Sequence, residues 1–209
     1  TISGLEEVLA NELTNLGAPD VKIITRAVSF GGDTRMLYEA NLWCRTALRI
    51  LKPLFSFTVK SNDDLYKNIY EYPWETVFTV DHTFSIDSVI NESAFTHSHF
   101  VSQKVKDAVV DKFRSKYNTR PSVDTENPDI RINIHIYKEG CDVSLDSSGE
   151  SLHKRGYRVS SGLAPLSEVL AAGLIMHTGW KGDTALVDAM CGSGTILIEA
   201  ALIAQNIAP

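Results

Sequence analysis

The segment Leu186-Val187-Asp188-Ala189-Met190-Cys191-Gly192-Ser193-Gly194-Thr195 is the part of this 209-residue chain best equipped for chemistry. A short apolar run ends in a carboxylate, two glycines follow one residue apart, and a helical pattern starts at Thr195. That order opens an α/β nucleotide-type fold, and three ligands can be tested against it. A P-loop needs a lysine directly after its glycines, and none is present. A dinucleotide site needs a glycine or alanine at residue 197, where helix and strand pack under a pyrophosphate, and this chain has Leu197. S-adenosylmethionine carries no pyrophosphate; it presents a cationic amino group, a carboxylate and a sulfonium. Asp188 can take the cationic part, Gly192 and Gly194 let the backbone approach closely, and the helix start at Thr195 offers N–H groups to the carboxylate. A glycine pair after a strand can also be a plain tight turn. The acid, the apolar strand and the flanking helix together weigh against that.

Other candidate chemistry is weaker. Cys191 has no histidine marked as its partner, so a small residue that fits the loop is the simpler reading. Cys44, Cys141 and Cys191 are odd in number, far apart and without a C-x-x-C pair, which excludes a disulfide framework or zinc knuckle and suits a reducing compartment such as the cytoplasm. The six histidines, His97 and His99 among them, lack Cys or carboxylate partners at ligand spacing. No metal is expected, and no catalytic residue is assigned.

The elements that must position this loop follow from periodicity. Ser3-Gly4-Leu5-Glu6 has the form of a capping box before an amphipathic helix through Leu16, with Gly17 in the C-cap position. Residues 21–30 read as a strand or hairpin arm. Asp33 can cap a helix running through Leu51 until Pro53 ends it. With a strand over 54–60, the order helix, strand, helix, strand suits a small α+β unit of ferredoxin-like type.

A second unit opens with Asp63-Asp64 capping a helix to about Tyr72 and a strand over 83–90. The longest helix pattern covers 98–117, with Phe100, Val101, Val105, Ala108, Val109 and Phe113 on one side and a basic solvent face. Ile130, Ile132, Ile134 and Ile136 alternate with Arg131, Asn133, His135 and Tyr137, predicting one arm of a hairpin covered on one face, with 141–145 as the return. Residues 146–162 have no apolar period and read as a linker. Pro165 sits well as the first residue of the next helix, residues 185–188 read as a short buried strand, and a last helix covers 195–204.

Composition bounds the rest. At 44% hydrophobic and 22% charged, the chain is an ordinary soluble one, with no apolar run of the roughly 18 residues a membrane span needs. The net charge of -6 argues against binding nucleic acid through overall charge. The charge is uneven, however. Residues 51–100 hold three Lys/Arg against seven Asp/Glu, whereas 101–120 hold six against two, so a local basic face is available.

Three stretches carry a resemblance: Asp146 through His153-Lys154-Arg155-Gly156-Tyr157-Arg158, then Ala164-Pro165-Leu166-Ser167-Glu168-Val169-Leu170, then Asp188 through Thr195. In order and spacing they resemble the THUMP-domain RNA methyltransferases that modify guanine N2 in large-subunit ribosomal RNA. Gly4-Leu5-Glu6, Gly32-Asp33-Thr34, Leu42-Trp43-Cys44-Arg45, Arg120-Pro121 and Pro128-Asp129-Ile130-Arg131 look like the same family's N-terminal region. Ala189 departs from it, standing where the family usually has proline.

The resemblance implies a ferredoxin-like domain over 1–60, a THUMP RNA-binding domain over 61–155, and over 156–209 a linker and the start of a Rossmann-type methyltransferase domain. It places Ala164, Pro165, Leu166 and Glu168 on the helix beside S-adenosylmethionine, and makes 188–195, including Cys191 and Ser193, the cofactor loop. It turns the basic face into an expected RNA contact: Lys104, Lys106, Lys112, Arg114, Lys116 and Arg120, with Lys154, Arg155 and Arg158 in the linker. Without the family, a merely solvated helix face would be the preferred reading, and His153 to Arg158 can instead order the domain junction. The ribose-binding acid and the N-P-P-Y/F segment for the target amine would lie beyond Pro209, so this stretch is expected to be inactive alone. The alternatives are an adenine-N6 DNA methyltransferase, which shares the glycine loop, and a non-catalytic THUMP RNA-binding module.

Overall fold

The computed structural model describes residues 1–158 and 165–209, so the end of the expected linker lies outside the described residues. They divide into two compact units: Thr1–Ile50 with Glu150–Pro209, and Leu51–Gly149.

In the first unit, helix α1 is Glu6–Asn15, with Leu5 at its N-cap and no side-chain cap. The expected capping box is therefore half realised. Glu6 does turn back, accepting the N–H groups of Gly4 at 2.7 Å and Arg26 at 3.2 Å, but Ser3 lies outside the helix. The far end closes as Gly17 N–H reaches the Thr14 carbonyl and Ala18 N–H that of Leu13, the paired bonds of a Schellman motif. Strands β1 (Lys22–Ile24) and β2 (Ala27–Ser29) form a small antiparallel hairpin.

Helix α2, Thr34–Trp43, is capped by Asp33, whose carboxylate accepts the Met36 N–H at 2.9 Å. It stops well short of the Leu51 that periodicity suggested. The cause is Glu12 of α1, whose buried carboxylate accepts the N–H of Arg45 at 2.7 Å and of Thr46 at 3.0 Å, and also the Thr46 hydroxyl. Two backbone donors given to a side chain leave the helix unable to continue. Leu9, Leu13, Ala40, Cys44, Ala47 and Ile50 form the core here. A smaller cluster joins Leu5 and Val8 to Val169.

Helix α3 is Asn62–Glu71, in the second unit, and Ser61 rather than Asp63 or Asp64 caps it by accepting the Asp64 N–H at 3.1 Å. A five-stranded sheet follows the order β3-β7-β6-β4-β5, with β3 Leu51–Thr58, β4 Thr83–Asn91, β5 Ser122–Val123, β6 Ile130–Tyr137 and β7 Gly140–Asp146. The strand expected to complete the first α+β unit thus belongs to this sheet. Pro53 lies within β3, tolerated because β3 is an edge strand with an irregular register between Pro53 and Phe55. Strands β4 and β6 are parallel, and helix α4, Ser98–Tyr117, connects them.

Ile132, Ile134 and Ile136 of β6 are fully buried with Val101, Val105, Ala108 and Val109 of α4. Each isoleucine contributes about 1.5–3 kcal/mol by leaving water. Trp74 is fully buried in the same core, its indole N–H donating to the Ile69 carbonyl at 2.7 Å. Phe100, expected on the apolar side of α4, is instead 48% exposed.

Helix α5, Glu168–His177, and helix α6, Thr195–Ala204, complete the first unit. Helix α5 begins three residues after Pro165. Residues 185–188 are not a strand: Val187 is 86% exposed, and among the described residues no strand pairs with it. A buried strand needs neighbours on both sides, and here its backbone has none to bond. Among the described residues no helix is long and apolar enough to cross a membrane.

Candidate functional site

The glycine loop keeps the features its residue types suggested, apart from the strand. Gly192 has φ +53° and Gly194 φ +74°, a left-handed backbone that a side chain resists. The space a Cβ would occupy at either residue is open. Gly194 is also the N-cap of α6 and supplies no side-chain cap, so the first N–H groups of that helix receive no side-chain acceptor from it and suit an anion. Asp188 is half-buried, and one of its oxygens accepts the Met190 N–H at 3.1 Å, which shapes the turn. An acceptor carboxylate, open glycine backbone and the donors of an uncapped helix start together suit the amino-acid end of S-adenosylmethionine. Met190 is 92% exposed beside it.

The flanking residues are placed unevenly. Ala164 lies outside the described residues. Pro165 is exposed, Leu166 half-buried, and Cys191 exposed with its thiol reduced. Glu168 is 6% exposed, and its carboxylate lies 2.6 Å from Arg158. Thr195 is buried, its Oγ1 3.1 Å from the Ser193 hydroxyl and 3.0 Å from the Arg158 guanidinium.

Behind α6 is a buried ionic cluster that sequence reading missed. Glu199 is fully buried; its Oε1 accepts the Tyr157 hydroxyl at 3.0 Å and lies 3.5 Å from Arg155 Nε. Arg155 also donates to the carbonyls of Leu152 at 3.1 Å and Arg45 at 2.6 Å. Arg45 in turn donates to the carbonyls of Leu202 at 3.4 Å and Ile207 at 2.5 Å. Burial pushes the Glu199 carboxyl above its ordinary range, with Arg155, Tyr157 and Arg45 pulling the other way. Burial likewise raises the Tyr157 hydroxyl, with Glu199 adding to it. One signal was available: Glu199 is the lone charge in the apolar run Thr195–Ala204, and such a residue is buried only with a partner.

The cations expected to meet RNA separate into two groups. On α4, Lys104 Nζ lies 5.1 Å from the Tyr66 ring centre and Lys112 Nζ 5.4 Å from that of Tyr70, both tyrosines on α3. The ring faces of α3 thus hold the ammonium groups of these two lysines. Lys106 pairs with Asp107, Arg114 with Asp111 and Lys116 with Glu75, while Arg120 is exposed beyond the helix. In the linker, Lys154 is exposed and pairs with Glu150, but Arg155 and Arg158 point inward, with side chains 3% and 19% exposed. Among the described residues no group of three or more His, Cys, Asp and Glu is placed to hold a metal ion.

Known families match nearly all of the chain. Residues 1–51 match the RlmL ferredoxin-like domain, 59–146 the THUMP domain, and 155–209 the RMKL-like methyltransferase domain. Among solved structures, a predicted N6-adenine-specific DNA methylase from Listeria monocytogenes is 35% identical with a TM-score of 0.88, covering 100% of this chain and 55% of that one. A possible methylase from Clostridium difficile is 36% identical with a TM-score of 0.87, covering 99% and 55%. SMU.472, solved complexed with SAH, is 32% identical with a TM-score of 0.86, covering 99% and 55%. The chain thus spans about half the length of these relatives.

Proposed function

The chain belongs to the THUMP-domain methyltransferase family, and from that premise we propose that it holds RNA for a methyltransferase that uses S-adenosylmethionine. The substrate we assign is guanine, modified at its exocyclic N2 in large-subunit ribosomal RNA, and the setting is the cytoplasm. The carrying observation is the glycine loop within the methyltransferase match, which pairs a carboxylate with open backbone and an uncapped helix start. A relative 32% identical, solved with SAH, supports the same ligand.

When bound, S-adenosylmethionine supplies a methyl group on a sulfonium, already activated for attack by an amine. Asp188 would hold its amino group, Gly192 and Gly194 let the loop approach, and the N–H groups at the start of α6 receive its carboxylate. Ala164, Pro165, Leu166, Glu168, Cys191, Ser193 and Thr195 flank this path by the same reading. Such transfer depends more on alignment than on a strong base, so the chain's contribution is orientation.

RNA is assigned to α4 and its exit, where Lys104, Lys106, Lys112, Arg114, Lys116 and Arg120 would meet phosphates. Lys154 is the linker cation exposed enough to do the same. The second reading, an adenine-N6 DNA methylase, is favoured by the Listeria relative, itself described as a predicted N6-adenine-specific DNA methylase; the THUMP match over 59–146 favours RNA. A non-catalytic module would bind RNA without binding cofactor.

Charge reversal of the half-buried Lys112 and the exposed Arg114 tests the RNA assignment. K112E/R114E should weaken binding to large-subunit ribosomal RNA fragments by roughly tenfold or more and lower the slope of log K against log salt by about one per lost phosphate contact. Filter binding across a salt series measures both. An unchanged slope would sink the assignment.

A further inference from the structure

We propose that Arg158 is a positioning residue for the cofactor loop, one side chain that fixes the start of α6 against the segment leading into α5. The inference rests on the S-adenosylmethionine reading of that loop. Its own basis is the geometry of three contacts. The Arg158 Nε lies 2.6 Å from Glu168 Oε1, and its Nη2 donates to the Leu166 carbonyl and, at 3.0 Å, to Thr195 Oγ1. These partners come from the residues just before α5, its first turn, and the first residue of α6. Both segments are among those expected to flank the cofactor.

The contact reaches into the loop itself. Thr195 Oγ1 accepts from Arg158 and also lies 3.1 Å from the Ser193 hydroxyl, between the two left-handed glycines, where either hydroxyl can be the donor. A hydrogen-bonded chain therefore links Arg158 through Thr195 to Ser193. A second grip sits one turn further along α6, where Tyr157 and Arg155 hold Glu199. Thr195 and Glu199 are four residues apart on one helix face, so two neighbouring linker residues and Arg158 stop α6 from sliding or rotating. Arg158 is directed inward by these contacts, as is Arg155, and neither presents its guanidinium to a phosphate as Lys154 can.

Arginine is suited to this place because its planar fork can serve a carboxylate, a carbonyl and a hydroxyl at once. Lysine offers one point charge and would keep only part of the set. The test uses the full-length protein, with SAH titrated calorimetrically into wild type, R158A, R158K and T195V, and RNA affinity measured alongside. Arg158→Ala is expected to lose roughly ten- to hundredfold in SAH affinity, the scale of a charge-assisted hydrogen bond, with RNA affinity within about twofold of wild type. Arg158→Lys should recover part of the loss. Thr195→Val should resemble R158A, and the double variant R158A/T195V should be little worse than either, as expected of one hydrogen-bonded chain.

If R158A fails to fold, R158K and T195V carry the test. Wild-type SAH affinity in both would overturn the proposal and leave the cofactor reading standing. Loss of RNA affinity with SAH binding intact would overturn it in favour of a phosphate contact. A wild-type protein that does not bind SAH would overturn the cofactor reading and this inference with it.

Discussion

Glu199→Ala is expected to destabilise the first unit by about 3–5 kcal/mol, the range for breaking a buried ion pair from one side. Glu199 is fully buried and Arg155 is 3% exposed. Without the carboxylate, the Arg155 guanidinium stays inside with the carbonyls of Leu152 and Arg45 as its partners among the described residues. Arg45 is also drawn electrostatically to Glu199 and Glu12 and repelled by Arg155, so the deletion leaves Arg45 with Glu12 alone against that repulsion. Tyr157 loses its acceptor as well. Urea unfolding with hydrogen exchange on the α6 amides measures the loss. The double change R155M/E199L should recover most of it, since apolar side chains of similar volume remove both charges together. A Glu199→Ala cost below about 1 kcal/mol would show that the cluster does not tie the linker to α6.

Glu12→Ala is the second large loss, again about 3–5 kcal/mol, because one buried carboxylate satisfies the N–H groups of Arg45 and Thr46 and the Thr46 hydroxyl. Thr46 is fully buried. Each donor left unpaired costs roughly 1–3 kcal/mol, and a water entering the space would recover part. Glu12→Gln keeps one acceptor oxygen but turns an amide N–H2 toward a donor, so it should fall between wild type and Ala. Thermal unfolding of the three proteins checks the order. Equal stability of Gln and Glu would mean that only one oxygen of the pair matters.

These two carboxylates also explain what could be read from local pattern. Where an element is made by its own residues, periodicity and caps were enough: α4 and α6 occupy the expected 98–117 and 195–204, and the alternating isoleucines form β6. Where a distant side chain decides, pattern failed. Helix α2 carries apolar residues well past Trp43, yet Glu12, more than thirty residues away, takes its donors and ends it. Residues 51–58 look like the last strand of the first unit but pair with β7, nearly ninety residues on. The stretch 185–188 has strand composition and no strand beside it among the described residues.

The candidate site divides the same way. Asp188, Gly192, Gly194 and Thr195 follow from residue type and spacing, because a turn and a helix start are local. The inward turn of Arg155 and Arg158 does not, because a cation in a linker looks the same in sequence whether it meets phosphate or a buried acid. Only the isolated charge of Glu199 in an apolar helix hinted at the partner.

The most direct measurement of the central claim is methyl transfer by the full-length protein from labelled S-adenosylmethionine, offered large-subunit ribosomal RNA and duplex DNA separately, with products digested to nucleosides. The expected result is label in N2-methylguanosine from the RNA, lost in Asp188→Ala and reduced in K112E/R114E. Label at adenine N6 in DNA, or RNA binding with no transfer to either substrate, would contradict it.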